Sequence, residues 1–332
     1  MKPLVLTNWL IPDFLESNFA DLAVTFFHSF ISGPLPSADE IEAYLGPCAP
    51  DQASGTHWSD FATKWGQSEN RGHRDLALAK FCQQYETVEL WFDTHPHAQL
   101  QLVWLLDHFS SHPKTVARLK LRLLDLDLIG LLPGAFEKLR QPIIDVTERE
   151  LATASAVWQA YPQPTPEACF DQLTTDLSAL PLLKPALRDL LDELPARTTG
   201  LGATEMRMLE LIAFGYANVN PLFHHESLRQ TRIFNEVEQG HLLDGLAFGP
   251  RPAIAGLDEE LRTIGRDNLR DRHTALLRSR LSLTEFGKAV LAHEEDFSRH
   301  NPIDRWWGGT HPTNERLWRY DPVLTKPSGK RI

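Results

Sequence analysis

The sequence predicts an α/β protein in which a mostly parallel, Rossmann-like sheet is followed by a helical half with a winged-helix-like unit. Short apolar runs alternate with helical patterns up to residue 132, which is typical of a parallel sheet covered by helices. Beyond Pro133 the short apolar runs that predict strands become rare. We therefore predict a sheet domain over 1–132, a helical connector over 133–195 and a winged-helix-like domain over 196–332.

The elements of the first domain follow from length and spacing. Four short apolar runs are predicted to be buried strands: Leu4–Thr7, Ala23–Phe27, Thr87–Phe92 and Leu119–Leu126. Four segments with helical spacing are predicted to be helices: Asp13–Phe19, Asp39–Leu45, Arg74–Tyr85 and Gln99–Phe109. In the connector, Thr147 and Glu150 form a capping box that predicts a helix start.

The last third shows three helical segments, then a strand, a basic loop, a strand and a final helix. The predicted helices are Thr204–Phe214 (ended by Gly215), Asn218–Leu228 and Asn235–Phe248. The arginine-rich loop covers 262–280, and Thr284 is predicted to cap the helix that follows. This order is that of a winged helix-turn-helix, and the tract RDRHTALLRSRLSLTEFGKAVL resembles the wing and following helix of MarR-type regulators.

Composition narrows the class of protein. The net charge of −11 argues against a protein that coats nucleic acid or an anionic membrane. Three widely spaced cysteines (Cys48, Cys82 and Cys169) form neither a disulfide framework nor a zinc knuckle. The first apolar run is too short for a signal peptide, and no long apolar window follows it. We therefore expect a cytoplasmic protein without a membrane partner.

Several segments carry a resemblance to a bacterial family, the domain of unknown function 1835 group. They are Val88–Leu102, Leu180–Pro195, Leu201–Phe214, Leu283–Leu291 and Ile303–Asp321, and the last (IDRWWGGTHPTNERLWRYD) is the most specific. The resemblance implies an architecture and no particular activity. The chain departs from the family pattern after its first strand, where only Asn8 remains of a longer motif. It also departs at Ser32, His95 and Ala98, where relatives carry acidic residues, and at Thr94, where they carry histidine.

Polar residues follow the predicted strands, and ligands in open α/β sheets bind beyond the carboxyl ends of the strands. That rule selects Asn8 after the first strand, His28 after the second and Asp127 near the fourth. After the third strand it selects Asp93, His95, His97 and Gln99. The candidate pocket is therefore Asn8, His28, Asp93, His95 and Gln99.

The run Asp93-Thr94-His95-Pro96-His97 has two interpretations. In an extended segment alternate side chains share a face, so Asp93, His95 and His97 can converge on a divalent metal, with His28 or Asp127 completing the shell. Alternatively, Asp93 caps a helix that begins near Pro96, and the histidines are exposed turn residues. The cap is the favoured interpretation.

Two further candidates lie in the last third. Arg266, Arg270, Arg272 and Arg278 are positioned to meet phosphates if the winged helix binds DNA. The acidic helix Asn235–Phe248, which has no Lys or Arg, argues against that function. Near the C-terminus, Arg305 and Arg319 are candidates to hold a ligand carboxylate or to pair with Asp304 and Asp321. The favoured interpretation is that this aromatic segment packs structurally and closes the C-terminal unit.

Phosphate-binding loops are not supported, because the chain has no G-x-x-x-x-G-K-[ST] motif and no G-x-G-x-x-G motif after a strand. A nucleophile elbow is not supported either, because no G-x-S-x-G motif occurs. Two functional classes stay open. One is a small-molecule binding or enzymatic protein, with or without a metal, whose site lies at the strand ends. The other is a winged-helix regulatory or protein-interaction module.

Overall fold

The computed structural model describes residues 2–8, 20, 22–49, 51–64, 67–68, 73–125, 141–229, 233–265 and 269–327. The chain forms two compact units. The first comprises Met1–Phe30, Pro34–Pro162 and Asp171–Ala186, and the second comprises Ile31–Gly33, Gln163–Phe170 and Leu187–Ile332. The described part of the predicted connector is thus divided between the two units. No helix of the described residues is both long enough and apolar enough to cross a membrane.

The strands are β1 (Leu4–Thr7), β2 (Leu22–Thr25), β3 (Ala62–Lys64), β4 (Gln67–Ser68), β5 (Val88–Phe92), β6 (Leu119–Leu123), β7 (Ile143–Asp145), β8 (Ile254–Ala255) and β9 (Ser282–Leu283). The helices are α1 (Ala38–Leu45), α2 (Leu78–Cys82), α3 (Pro96–Ser110), α4 (Pro113–Val116), α5 (Glu148–Ala160), α6 (Glu167–Gln172), α7 (Leu183–Asp192), α8 (Ala203–Phe214), α9 (Val219–Phe223), α10 (Glu226–Arg229), α11 (Glu236–Ala247), α12 (Leu269–Arg278) and α13 (Glu285–Leu291). Single turns of 3₁₀-helix lie at Trp58–Phe61, Leu261–Thr263 and Phe297–Arg299.

The first unit is built on a seven-stranded sheet of order β4-β3-β2-β1-β5-β6-β7, counted over the described residues. The four central strands, β2-β1-β5-β6, are parallel, whereas β3, β4 and β7 join antiparallel at the edges. Every residue of β1, β2 and β5 is buried, as expected for parallel strands that are covered on both faces. The α/β fold with a mostly parallel sheet is therefore confirmed.

Two helices of this unit, α1 and α5, begin at capping boxes. Ser37 and Glu40 form a capping box at α1, and Thr147 and Glu150 form the predicted one at α5. Helix α3 starts at Pro96 and is buried on most of its surface, because it packs along α5 and against β5. The predicted helix Asp13–Phe19 lies outside the described residues.

The edge strands β3, β4 and β7 were not predicted from the sequence. Each has only two or three residues, too few for an alternating pattern to be recognised. The predicted helix Arg74–Tyr85 is shortened to α2, whose described buried residues are Leu78, Ala79, Phe81 and Cys82. The residues before α2 form turns.

The second unit has its own apolar core, which includes Met208, Leu222, Leu243, Ile254 and Val290. Helix α8 ends at Gly215, whose φ of 113° closes the helix in the left-handed region as predicted. Thr284 caps α13 as predicted, and Asn235, predicted as the first residue of a helix, is the N-cap of α11. Strands β8 and β9 pair antiparallel.

Two predictions for this region are wrong. The segment Asn218–Leu228 is split into α9 and α10 instead of forming one helix. The basic loop over 262–280 contains helix α12, because Leu276 and Leu277 pack against the core of the unit and give this segment a buried face.

The C-terminal segment 303–327 consists of short bridges and turns. The Trp307 indole donates to the Leu190 carbonyl (2.6 Å), and the Trp318 indole donates to Glu167 Oε1 (3.1 Å). The guanidinium of Arg305 pairs with Glu205 and that of Arg319 with Asp296. The predicted pairing of these arginines with Asp304 and Asp321 is therefore wrong.

Candidate functional site

The carboxyl ends of β2, β1, β5 and β6 meet at one edge of the sheet, because these four strands run parallel. Asn8 directly follows β1, and Asp93 directly follows β5. Asn8 Oδ1 is buried and has no hydrogen-bond partner among the described residues. His28 lies three residues beyond β2, and Asp127 lies outside the described residues.

Asp93 is completely buried and organises the turn that leads into α3. Its Oδ1 accepts from the backbone N–H of His95 (3.1 Å), and its backbone carbonyl accepts from Gln99 Nε2 (2.6 Å). The N-cap of α3 is His95, which makes no side-chain capping bond. The prediction that Asp93 caps this helix is therefore wrong by two residues: Asp93 forms the preceding turn instead.

A metal site at Asp93, His95 and His97 is not supported by this geometry. The required extended segment does not exist, because the helix begins at Pro96, between the two histidines. His95 Nε2 lies 4.0 Å from Asp93 Oδ2, whereas His97 Nε2 lies 2.5 Å from the carbonyl oxygen of His28. Over the described residues, no three His, Cys, Asp or Glu side chains are grouped so as to hold a metal ion.

The remaining candidate residues are divided between interior and surface. Asp93, His95 and Gln99 are buried at the start of α3. His28 is half-buried and lines an open cleft of about 490 Å³ on the first unit. The cleft is formed by the residues that follow β2, by α1 and by the loop before the first 3₁₀ turn: Phe27, His28, Pro36, Glu40, Ala43, Tyr44, Gln52, Gly55, Thr56 and Phe61.

Aromatic rings form much of this cleft. Phe27 is 47% exposed, and its ring meets Phe61 edge-on with centroids 5.2 Å apart. The His28 imidazole meets the Tyr44 ring edge-on at 4.1 Å. An exposed aromatic side chain beside further rings offers a surface for a flat ligand.

The backbone of His28 is held by α3. Its carbonyl oxygen accepts from Gln101 Nε2 (2.8 Å) and from His97 Nε2 (2.5 Å), and the same Gln101 amide also reaches the carbonyl of Phe26 (3.2 Å). Burial, and then the nearby His97, lower the pKa of His28 below its usual value. Its imidazole is therefore neutral at neutral pH, with one nitrogen donating and the other accepting.

Tyr44 brings an unsatisfied hydroxyl to the cleft. The residue is 3% exposed, and its hydroxyl has no hydrogen-bond partner among the described residues. Burial, and then the charge of Asp60, raise the pKa of Tyr44, so the hydroxyl stays protonated. A buried hydroxyl without a partner costs free energy that an accepting ligand atom would recover.

The wall opposite α1 is a loop held by hydrogen bonds. Gln52 Nε2 donates to the carbonyls of Ala43 (3.0 Å) and Thr56 (2.8 Å). Arg74 forms an ion pair with Asp60 and donates to the carbonyl of Gln52 (3.0 Å). These contacts hold the loop in place without a ligand, so the cleft is pre-formed.

Sequence reasoning selected His28 and missed the other residues that form the cleft. Phe27 was assigned to a predicted strand, and Tyr44 to the apolar side of a helix. Arg74 and Asp60 are 14 residues apart, and nothing in their local sequence indicates that they pair. The rule that ligands bind beyond the carboxyl ends of strands reached this region through His28 alone.

The arginines predicted to meet phosphates are partly engaged within the second unit. Arg272 Nε lies 2.7 Å from Glu259 Oε2, and its other nitrogens donate to Thr263. Arg270 and Arg278 are exposed on α12, and Arg266 lies outside the described residues. On the acidic helix α11, Asp244 is buried and accepts from the backbone N–H groups of Leu261 and Arg262.

Comparison with models of known protein families finds no match for this chain, and comparison with curated proteins finds none. The resemblance to the domain of unknown function 1835 group stays a prediction, as does the likeness to MarR-type regulators.

Proposed function

We propose that the cleft beside His28 binds a small, flat, mostly apolar and uncharged molecule, and that the chain is a cytoplasmic small-molecule binding protein. The observation that carries the proposal is the buried Tyr44 hydroxyl, unpartnered among the described residues, on a pre-formed cleft with aromatic walls. A volume of about 490 Å³ lies within the range of small-molecule sites.

The charges of the cleft favour an uncharged ligand. Among the described residues that line the cleft, Glu40 is the one carboxylate, and its Oε2 accepts from the backbone N–H and the hydroxyl of Ser37 (2.7 and 2.8 Å). The lowered pKa of His28 and the raised pKa of Tyr44 keep both groups neutral. An aryl ketone has the required chemistry, since its ring fits beside Phe27 and its oxygen accepts from Tyr44.

The test is ligand-observed NMR with acetophenone on the full chain. We expect acetophenone binding that is weaker in Phe27→Ala than in wild type and about five-fold weaker in Tyr44→Phe, which removes one hydrogen bond of about 1 kcal/mol. Phe214→Ala is the control, because Phe214 is 84% exposed and lies outside the cleft. Absence of binding, or equal binding by wild type and Phe27→Ala, would refute the proposal.

A second candidate function is a winged-helix regulatory or interaction module. It is favoured by the order α8 to α11, β8, α12, β9 and α13, in which helix α12 stands where a loop was predicted, together with a bridge between Asn218 and Arg280 that adds a third short strand position. DNA is the less favoured partner, because Glu236 and Glu238 begin α11 and no Lys or Arg lies on it.

A further inference from the structure

A second cavity, of about 270 Å³, lies in the second unit. Arg305, Trp306 and Trp307 from the C-terminal segment line it, together with Phe234 and His241 from the region of α11. It shares no lining residue with the cleft beside His28. Its volume is close to the lower limit of small-molecule sites and fits a ligand of one or two rings.

Arg305 lines this cavity and carries an unused donor. Its Nη1 donates to Glu205 Oε2 (2.7 Å), while its Nη2 is buried and has no hydrogen-bond partner among the described residues. A guanidinium nitrogen that is buried without an acceptor loses its hydration and gains nothing in return. A ligand oxygen at this position would satisfy it.

The charges around the cavity exclude a strongly charged ligand. Glu205 neutralises Arg305, and Arg262 has carboxylate oxygens of Asp244 and Glu260 within 3.5 and 3.7 Å. The carboxylates of Glu238 and Asp304 also line the cavity, so an added anion would meet like charges. A cation would place no acceptor on Arg305. The suitable partner is a neutral carbonyl oxygen.

Aromatic side chains flank the same position. The ring of Trp307 is fixed, because its indole N–H donates to the Leu190 carbonyl (2.6 Å). Trp306 is partly exposed and stacks on His311 with centroids 4.4 Å apart and planes within 5°. Flat indole surfaces next to a directed N–H donor suit a flat ring that carries a carbonyl group.

We propose that this cavity is a second binding site, and that it takes an uncharged aromatic ring bearing a carbonyl oxygen, which accepts a hydrogen bond from Arg305 Nη2. The chemical class includes aromatic amides and carbonyl-bearing heteroaromatic rings. The hydrogen bond from Arg305 orients the ligand, and the indole ring of Trp306 packs against it.

The experiment uses three probes of the same shape on the full chain: benzamide, benzoate and benzamidine. Isothermal titration or ligand-observed NMR should show benzamide binding, benzoate binding at least ten-fold more weakly and benzamidine not binding. In Arg305→Lys the amine keeps a partner for Glu205 but loses the second donor nitrogen, so benzamide affinity should fall about ten-fold. Trp306→Ala should weaken it as well.

All three titrations are repeated in Phe27→Ala, which removes an aromatic side chain of the other cleft, so that benzamide bound beside His28 does not contribute. Circular dichroism of Arg305→Lys and Trp306→Ala verifies that both variants fold. Equal or tighter binding of benzoate or benzamidine overturns the proposal. So does benzamide binding that is unaffected by Arg305→Lys, or that is lost in Phe27→Ala.

Discussion

The imidazole of His97 lies against the backbone of His28, with 2.5 Å between Nε2 and the carbonyl oxygen. Gln101, one turn further along α3, donates to the same carbonyl and to that of Phe26. Two side chains of one helix thus hold the strand end that presents Phe27 and His28 to the cleft. The shape of the cleft therefore depends on residues that do not line it.

Gln101→Leu should destabilise the protein although it preserves the size of the side chain. The change removes the donor to the Phe26 carbonyl and one of the two side-chain donors to the His28 carbonyl among the described residues, at a cost of about 1–3 kcal/mol. Denaturant unfolding measures the effect. Gln84→Leu is the control, since Gln84 is exposed after α2 and should change stability by less than about 0.5 kcal/mol. Equal effects would contradict the prediction.

Tyr44→Phe should not destabilise the protein, and we expect a gain of up to about 1 kcal/mol. The variant removes a buried hydroxyl that lacks a partner among the described residues. Tyr161→Phe is the matched control, because its buried hydroxyl donates to the Phe30 carbonyl (3.0 Å) and its removal should cost about 1 kcal/mol. Thermal unfolding measures the stability of both variants. A clear loss of stability in Tyr44→Phe would refute the prediction.

Glu193→Gln should raise the free energy of unfolding relative to wild type, and this gain should be larger at pH 8 than at pH 4. Burial raises the pKa of Glu193 to about 7, so the folded state holds a proton that the unfolded state releases near pH 4.5. The stability contributed by this group is complete at low pH and is lost as pH rises from about 4.5 through 7. One pKa unit corresponds to about 1.4 kcal/mol, so the gain at pH 8 is at most about 3 kcal/mol.

The measurement for Glu193 is the free energy of unfolding at both pH values. Gln retains an oxygen that accepts from Thr204, so the hydrogen bond is conserved in the variant. Glu210→Gln, a change at an exposed carboxylate beside Arg207, should show little pH-dependent gain. An identical Glu193→Gln effect at pH 4 and pH 8 would show that this carboxyl titrates normally.

A salt-titrated gel-shift assay should show no binding to mixed-sequence DNA. Arg272 is engaged with Glu259 and Thr263, and the exposed end of α11 carries Glu236. The exposed Arg270 and Arg278 are too few to offset these contacts. A shift at low salt that disappears with added salt, and that is reduced in Arg270→Ala, would instead support the regulatory function.

The sequence predicted the parts of the fold that follow from local patterns. Strand β1 and the helix start at Pro96 are signalled by apolar runs and by proline, and the cap at Thr147 by its capping box. Strands β3, β4 and β7 depend on pairing with longer neighbours, and two or three residues carry no such signal. At the site, the rule of strand ends selected His28, whereas Tyr44 and Arg74 depend on long-range packing that local sequence does not encode.

The division of the chain also has a consequence for the order of folding during synthesis. Glu167, which accepts from the Trp318 indole, leaves the ribosome 151 residues before its partner. At roughly 5–20 residues per second, this interval lasts about 8–30 seconds. During this interval residues 163–170 lack their contact with the aromatic residue Trp318. The last residue of the first unit, Ala186, emerges well before Trp318 does. Of the two units, the second therefore folds last on the ribosome. A premature stop codon would leave it without the C-terminal residues that complete its packing.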